Sequence, residues 1–204
     1  MPARLAFFDR LTSWDGRTVL DLGCGGGFMS EALAARGAEV IGADVSRGAV
    51  GIASRHAANQ GLSIRYLVAS GEDLPLRDAS VDCVVCVDVL EHVRSLDQVL
   101  DEVRRVLRPG GVFLFDTINR TRLASFVIVF CGERIFRLLP HGTHDPAGFI
   151  RPAELDARLA ARGFADREFK GLGPRGINSR FDITFGALPG TGIMYMGCAR
   201  LPRA

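Results

Sequence analysis

The chain lacks several things, and each lack narrows what it can be. None of its uninterrupted apolar stretches reaches the length of a membrane-crossing helix, and the first residues have no signal-peptide core. Charge of one sign is not in excess: the formal net charge is +2, too small a field to argue for nucleic acid. No basic run or cluster of aromatics with arginine points that way either. Cysteine is sparse and uneven, with Cys24, Cys83, Cys86, Cys131 and Cys198 making an odd, scattered set. Free thiols in a reducing compartment follow, so the expected location is cytoplasmic. Cys83-Val-Val-Cys86 has the spacing of a redox or zinc pair but lies in a strand-like run, where side chains three apart face opposite ways. Repeats, low-complexity tracts and linkers are missing too. Residues 1–204 therefore read as one domain, whose 48% hydrophobic residues can furnish a core.

What is present is organised around Val19–Gly27, Val-Leu-Asp-Leu-Gly-Cys-Gly-Gly-Gly. An apolar run, 18–22, enters a glycine turn and leaves as a helix-like run, 28–36. Glycines let the backbone bend sharply and let a ligand approach it, while the helix start offers free N–H groups. A dinucleotide site would read Gly-x-Gly-x-x-Gly. Here the pattern is Asp21-x-Gly23-x-Gly25-x-Gly27, with a carboxylate that would repel a pyrophosphate but attract an α-ammonium. A second strand, 38–44, ends in Asp44, 23 residues after Asp21, where an acid can accept both ribose hydroxyls. Ribose with an amino-acid head and no phosphate describes S-adenosylmethionine. The bland alternative is a structural turn with two solvated acids.

Further along, strands and helices alternate. Ser46 caps a helix ending near Gly61, 63–68 and 81–87 read as strands, and 95–107 is an amphipathic helix with a Ser95/Gln98 capping box. Pro109-Gly-Gly111 stops it and 112–118 is a fifth strand. After a helix at 152–162, the strands 164–172 and 193–200 have no helix between them, which predicts antiparallel pairing. The fold class expected is α/β, doubly wound, a mostly parallel seven-stranded sheet with an antiparallel C-terminal strand.

With these residues in view, the chain resembles the class I S-adenosylmethionine-dependent methyltransferases, and more narrowly the O-methyltransferases of ubiquinone biosynthesis. Four pieces carry the likeness: Pro2-Ala-Arg4, the loop Asp21–Gly27, Asp88-Val-Leu-Glu-His-Val93, and Thr117–Thr121 followed by 139–145. Two departures stand beside it. The family carries a covering helix ahead of the point where this sequence starts, and its acid-x-x-Glu-His block opens with Glu where this chain has Asp88. The likeness implies a small-molecule phenolic substrate with a lipophilic, polyprenyl-like tail. It places cofactor contacts at Arg4, Gly23 and Asp44, with Val87 contributing backbone, beside Asp21 and Gly25 of the loop already read as cofactor-binding. Ser70, Gly71 and Glu72 would read the adenine edge, although from the residues alone the same loop is an ordinary acidic turn. A methyltransferase for another natural product and a non-catalytic S-adenosylmethionine-binding module are the alternatives; Asp21 and the antiparallel tail speak against a nicotinamide oxidoreductase.

A phenol titrates near ~10 by analogy with tyrosine, so its oxygen needs a base or a metal at neutral pH. Asp88, Glu91 and His92 are spaced i, i+3, i+4, so on a helical turn they would project from one side. They suit a divalent cation such as magnesium, with His92 and Glu91 as the catalytic pair, or else a dipole-favoured helix start with a packed histidine. Residues 120–140 are apolar nearly all round and flanked by Arg120, Arg122, Arg134 and Arg137. That girth fits a buried helix, or a lid-like segment inserted at about 120–150 that meets a lipid surface.

Overall fold

The computed structural model describes residues 2–128, 145–177 and 183–203. A short helix α1 (Pro2–Phe8) precedes β1 (Thr18–Leu22), α2 (Phe28–Ala34), β2 (Glu39–Asp44), α3 (Arg47–Asn59), β3 (Arg65–Val68) and β4 (Val81–Cys86). Then come α4 (Leu96–Val106), β5 (Leu107–Ile118), the helical turn α5 (Arg122–Ala124), α6 (Pro152–Ala161) and the strands β6 (Ala165–Ile177), β7 (Ile183–Leu188) and β8 (Met194–Arg200). They form one sheet in the order β3-β2-β1-β4-β5-β8-β6-β7, parallel from β3 to β5 and antiparallel beyond.

Local chemistry sets the helix starts. Ser46 Oγ accepts the Ala49 N–H at 3.2 Å and Ser95 Oγ accepts the Gln98 N–H at 3.3 Å, each satisfying a donor the helix cannot. On α4, Val99, Leu100, Val103 and Val106 are buried, whereas Asp97 and Asp101 on its outer side pair with Arg162 just past α6 at 2.9 and 2.7 Å. The strand period of two divides the core between the two sheet faces. Leu20, Val84, Cys86, Phe113 and Phe115 pack on the α4/α6 side; Val19, Cys83, Val85 and Leu114 pack with Phe8, Met29 and Leu33 on the other. Cys83 and Cys86 are thus held in separate layers as free thiols, as the strand reading required.

The strand count differs from expectation by one. The sequence pattern ends one strand at 172 and begins the next at 193; in the fold β6 runs to Ile177 and pairs with β7 as an antiparallel edge. An edge strand whose Phe185 is exposed buries too little to leave an apolar pattern. Among the described residues no helix is long and apolar enough to cross a membrane.

Candidate active site

Strand order reverses direction between β1 and β4, and a parallel sheet opens a crevice above the strand ends there. The glycine loop lines it. The N–H groups of Gly23 and Cys24 donate to the Ala43 carbonyl at 2.7 and 3.0 Å, folding the loop onto the end of β2. Gly23 has φ +72°, and a Cβ there would collide with the side chain of Val89. Asp44 braces the same loop: Oδ2 accepts the Gly25 N–H at 2.9 Å and Oδ1 the Ser46 N–H at 2.8 Å.

A cavity of about 460 Å³ sits above this floor. Of the residues expected to meet a cofactor, Gly23, Asp44, Ser70, Gly71 and Glu72 are in its wall; Arg4, Asp21, Gly25 and Val87 are not. The Ser70 hydroxyl bonds Glu72, whose Oε1 also accepts the Arg94 N–H at 2.9 Å. The Ser70 hydroxyl above all, then these backbone donors, holds the Glu72 carboxyl below its usual range. The loop is therefore clamped to the entry of α4.

Asp21 does not face the ligand space. It is 2% exposed and accepts a hydrogen bond from Ser30 Oγ at 2.5 Å, which seats α2 under the loop. Burial pushes its carboxyl up to about 6, with the Ser30 bond pulling the other way.

Arg4 reaches across the sheet. Its Nη2 donates to Asp88 Oδ1 at 2.6 Å, its Nε donates to the buried Asp116, and Asp116 Oδ1 accepts the Asp88 N–H at 2.7 Å. These bonds hold Asp88 at φ +56°, a conformation a non-glycine residue adopts only when its surroundings impose it. Here the structure corrects the sequence reading. A positive φ at the first position breaks the helical spacing, and the chain turns without helix until Leu96. Glu91 swings inward, 7% exposed, accepting from Thr117 Oγ1 at 2.7 Å, and burial pushes its carboxyl up to about 8. Asp88 and His92 line the cavity instead. The side chains of Asp88, Glu91 and His92 do not converge, and among the described residues no three or more His, Cys, Asp or Glu are grouped to hold a metal ion.

Two contributors escaped the sequence reading. Asp116, the one charge in the buried stretch 112–118, is the acid that receives Arg4; its placement inside an apolar run was the available signal. Val45, directly after Asp44, is 70% exposed and walls the cavity, an apolar side chain where the chain otherwise turns polar.

A glycine loop over a switch-point cavity, with an acid at the end of β2, can now be set beside known proteins. A family model for methyltransferase domains matches residues 20–115. A ubiquinone biosynthesis O-methyltransferase of Paraburkholderia phymatum is 36% identical over 200 residues, covering 98% of this chain and 84% of that protein. The protein of the same name from Methylococcus capsulatus is 36% identical over 204 residues, covering 100% and 84%. This chain belongs to the ubiquinone biosynthesis O-methyltransferase family. It is an S-adenosylmethionine-dependent methyltransferase. Solved structures carry the same fold: YcgJ of Bacillus subtilis superimposes with a TM-score of 0.74 at 19% identity over all of both chains. A SAM-dependent methyltransferase of Thermotoga maritima gives 0.70 at 18% identity, covering 98% of this chain and 88% of that one. The methyltransferase cavity fits its co-substrate on three counts. Its volume lies in the usual range for small-molecule sites, roughly 300–1,000 Å³; Gly23 clears its floor; and Asp44 and Glu72 present acceptors to hydroxyl and amine donors.

Proposed function

We propose that this methyltransferase methylates a hydroxyl of a catechol or related phenol bearing a lipophilic, polyprenyl-like tail. The single observation that carries this reading is the shared cavity, whose wall holds Asp44 and Glu72 together with Asp88 and His92. Its support from outside is the near full-length similarity to enzymes named for ubiquinone biosynthesis.

In this reading Asp44 accepts the ribose hydroxyls, the Ser70–Glu72 loop meets the adenine edge, and the Gly23 and Gly25 backbone borders the amino-acid head. Asp21 acts from beneath by fixing α2, and Arg4 and Val87 by fixing the far strand ends. Bound S-adenosylmethionine supplies an electrophilic methyl group on a sulfonium. The chain must then align an acceptor oxygen and receive its proton. His92 takes that proton on an imidazole nitrogen, because it shares the cavity with the cofactor acids. Glu91 positions it, anchoring the turn against Thr117. A divalent cation does not fit the donor set as it stands: Asp88 is engaged by Arg4 and Glu91 is aimed into β5.

The lipophilic tail and a lipid surface would both be met by the segment that opens at Arg120. Leu123 and Phe126 are 53% and 55% exposed there, beside Arg122, which supports the lid-like, peripheral-membrane reading over the buried one. Residues 129–144, which hold most of that segment and Cys131, lie outside the described residues.

Radiolabelled methyl transfer into an organic extract, over catechols with and without prenyl tails, tests the proposal. Turnover that rises with tail length supports it. Turnover confined to untailed or non-phenolic acceptors would assign another natural product, and tight cofactor binding without any turnover would make the chain a binding module.

A further inference from the structure

At the opposite end of the sheet from the cofactor cavity lies a second cleft, of about 310 Å³. Arg17 at the entry to β1, Asp82 on β4, Arg108 on β5 and Arg203 beyond β8 surround it. Three guanidiniums thus face one carboxylate, leaving a net charge of +2 in the wall. Asp82 is already committed, since its Oδ2 meets the Arg108 guanidinium at 2.6 Å and accepts the Thr18 N–H at 2.9 Å. Among the described residues neither Arg17 nor Arg203 makes an ion pair. Glycines shape the turns beside it: Gly16 has φ +67° and Gly110 φ +78°, and a Cβ at Gly110 would press on the Arg203 stem at 3.0 Å.

Arginines gathered without matching acids repel one another, and only an anion removes that cost while using their forked donors. A dianion such as a phosphate group matches that charge and offers several oxygens to the forked donors. A carboxylate would leave the wall positive, and a polyanionic strand is larger than a 310 Å³ cleft between loops can enclose.

We infer that this cleft is a second binding site, separate from the methyl-transfer cavity, for a phosphate group that is either free or carried by a small molecule. Neither the acceptor reading nor the cofactor reading bears on it, because no residue is shared between the two cavities.

The test is calorimetric titration of the full chain with inorganic phosphate and, separately, glycerol 3-phosphate, at constant ionic strength set by chloride. Saturable binding is expected, and Arg17→Gln and Arg203→Gln should each weaken it about tenfold or more, the loss expected for charge-assisted hydrogen bonds. Arg47→Gln, on exposed α3, is the control and should change nothing, and S-adenosylmethionine affinity should be intact in all three variants. Tighter binding of glycerol 3-phosphate would assign a phosphomonoester, and equal binding would assign free phosphate. The inference is overturned if neither anion saturates at millimolar concentration, or if Arg47→Gln weakens binding as much as the cleft variants. Two independent cleft variants guard against one that folds poorly.

Discussion

The two sides of the methyl-transfer cavity are built on different principles. On the cofactor side, the cavity acids are held mostly by backbone N–H groups: Asp44 by those of Gly25 and Ser46, Glu72 by that of Arg94 together with the Ser70 hydroxyl. On the acceptor side they are held by other side chains, with Arg4 meeting Asp88 and Asp116, and Glu91 meeting Thr117. The first side is preformed and half open, which suits a ligand common to a whole class of enzymes. The second is strained at Asp88 and rests on the buried Glu91 and Asp116, so its geometry depends on the fold beneath it, which suits an element that must respond to one particular acceptor.

The sharpest way to break this contrast is to remove Arg4. Its side chain is 12% exposed and Asp116 is fully buried, so Arg4→Ala strands a carboxylate without its cation. Loss of one partner of a buried pair costs about 3–5 kcal/mol, which urea unfolding should register. Arg4→Ala/Asp116→Ala should recover part of that loss, because no charge is then stranded. A single mutant as stable as wild type would mean that the acceptor side does not depend on its long-range pair.

Asp21 sharpens the contrast from the other side, being the one cofactor-side acid that is buried. Burial raises its pKa from the ordinary 3.8 to about 6, so the folded state holds the proton more tightly than the unfolded chain. Its contribution is therefore full below the ordinary carboxylate pKa and is lost as pH rises through about 6. Asp21→Asn, which cannot ionise, should be more stable than wild type above pH 7, by about 2–3 kcal/mol at most, and the advantage should vanish near pH 4. Thermal melts of both proteins at the two pH values decide it; a pH-independent difference would remove the assigned cause.

How much of this was legible in the chain follows the same division. The Ser46 and Ser95 caps could be read directly, because each depends on residues within a few positions, and the glycine loop and Asp44 could be read from their places at the ends of their own strands. The burial of Asp21 could not, since it needs Ser30 to arrive from α2. Nor could the turn at Asp88, where helical spacing predicted a one-sided trio and bonds from Arg4 and Asp116 imposed a positive φ. The eighth strand was hidden for a third reason: β7 lies at an edge and buries little, so it left no pattern to read.

Asp44 offers the next smaller effect, confined to the preformed side. Asp44→Ala removes an acceptor that would serve the ribose and also frees the Gly25 and Ser46 N–H groups. Affinity for S-adenosylmethionine should fall by about 1.5–3 kcal/mol, the range for hydrogen bonds to a charged group. The melting curve should shift far less than for Arg4→Ala. Unchanged affinity in titration would withdraw the ribose assignment.

The smallest effect belongs to the periphery of the acceptor side. Leu123 and Phe126 are exposed, and Arg120 and Arg122 lie next to them in the chain. At a membrane interface, burial of those two side chains adds to an attraction of roughly 1 kcal/mol per basic residue for anionic headgroups. Arg120 is already engaged by Glu154 and by the Phe149 carbonyl, so its share is reduced and Arg122 carries more of it. Binding should therefore be weak, should require anionic lipid, and should fade as salt screens the arginine term. Leu123→Ser/Phe126→Ser should leave vesicles while S-adenosylmethionine binding and the melting temperature hold, since neither side chain is in the core. A sharp drop in melting temperature would instead return this segment to the interior. Co-sedimentation with anionic vesicles at low and high salt reads the binding, and wild-type protein that stays in the supernatant at low salt would sink the lipid-facing reading.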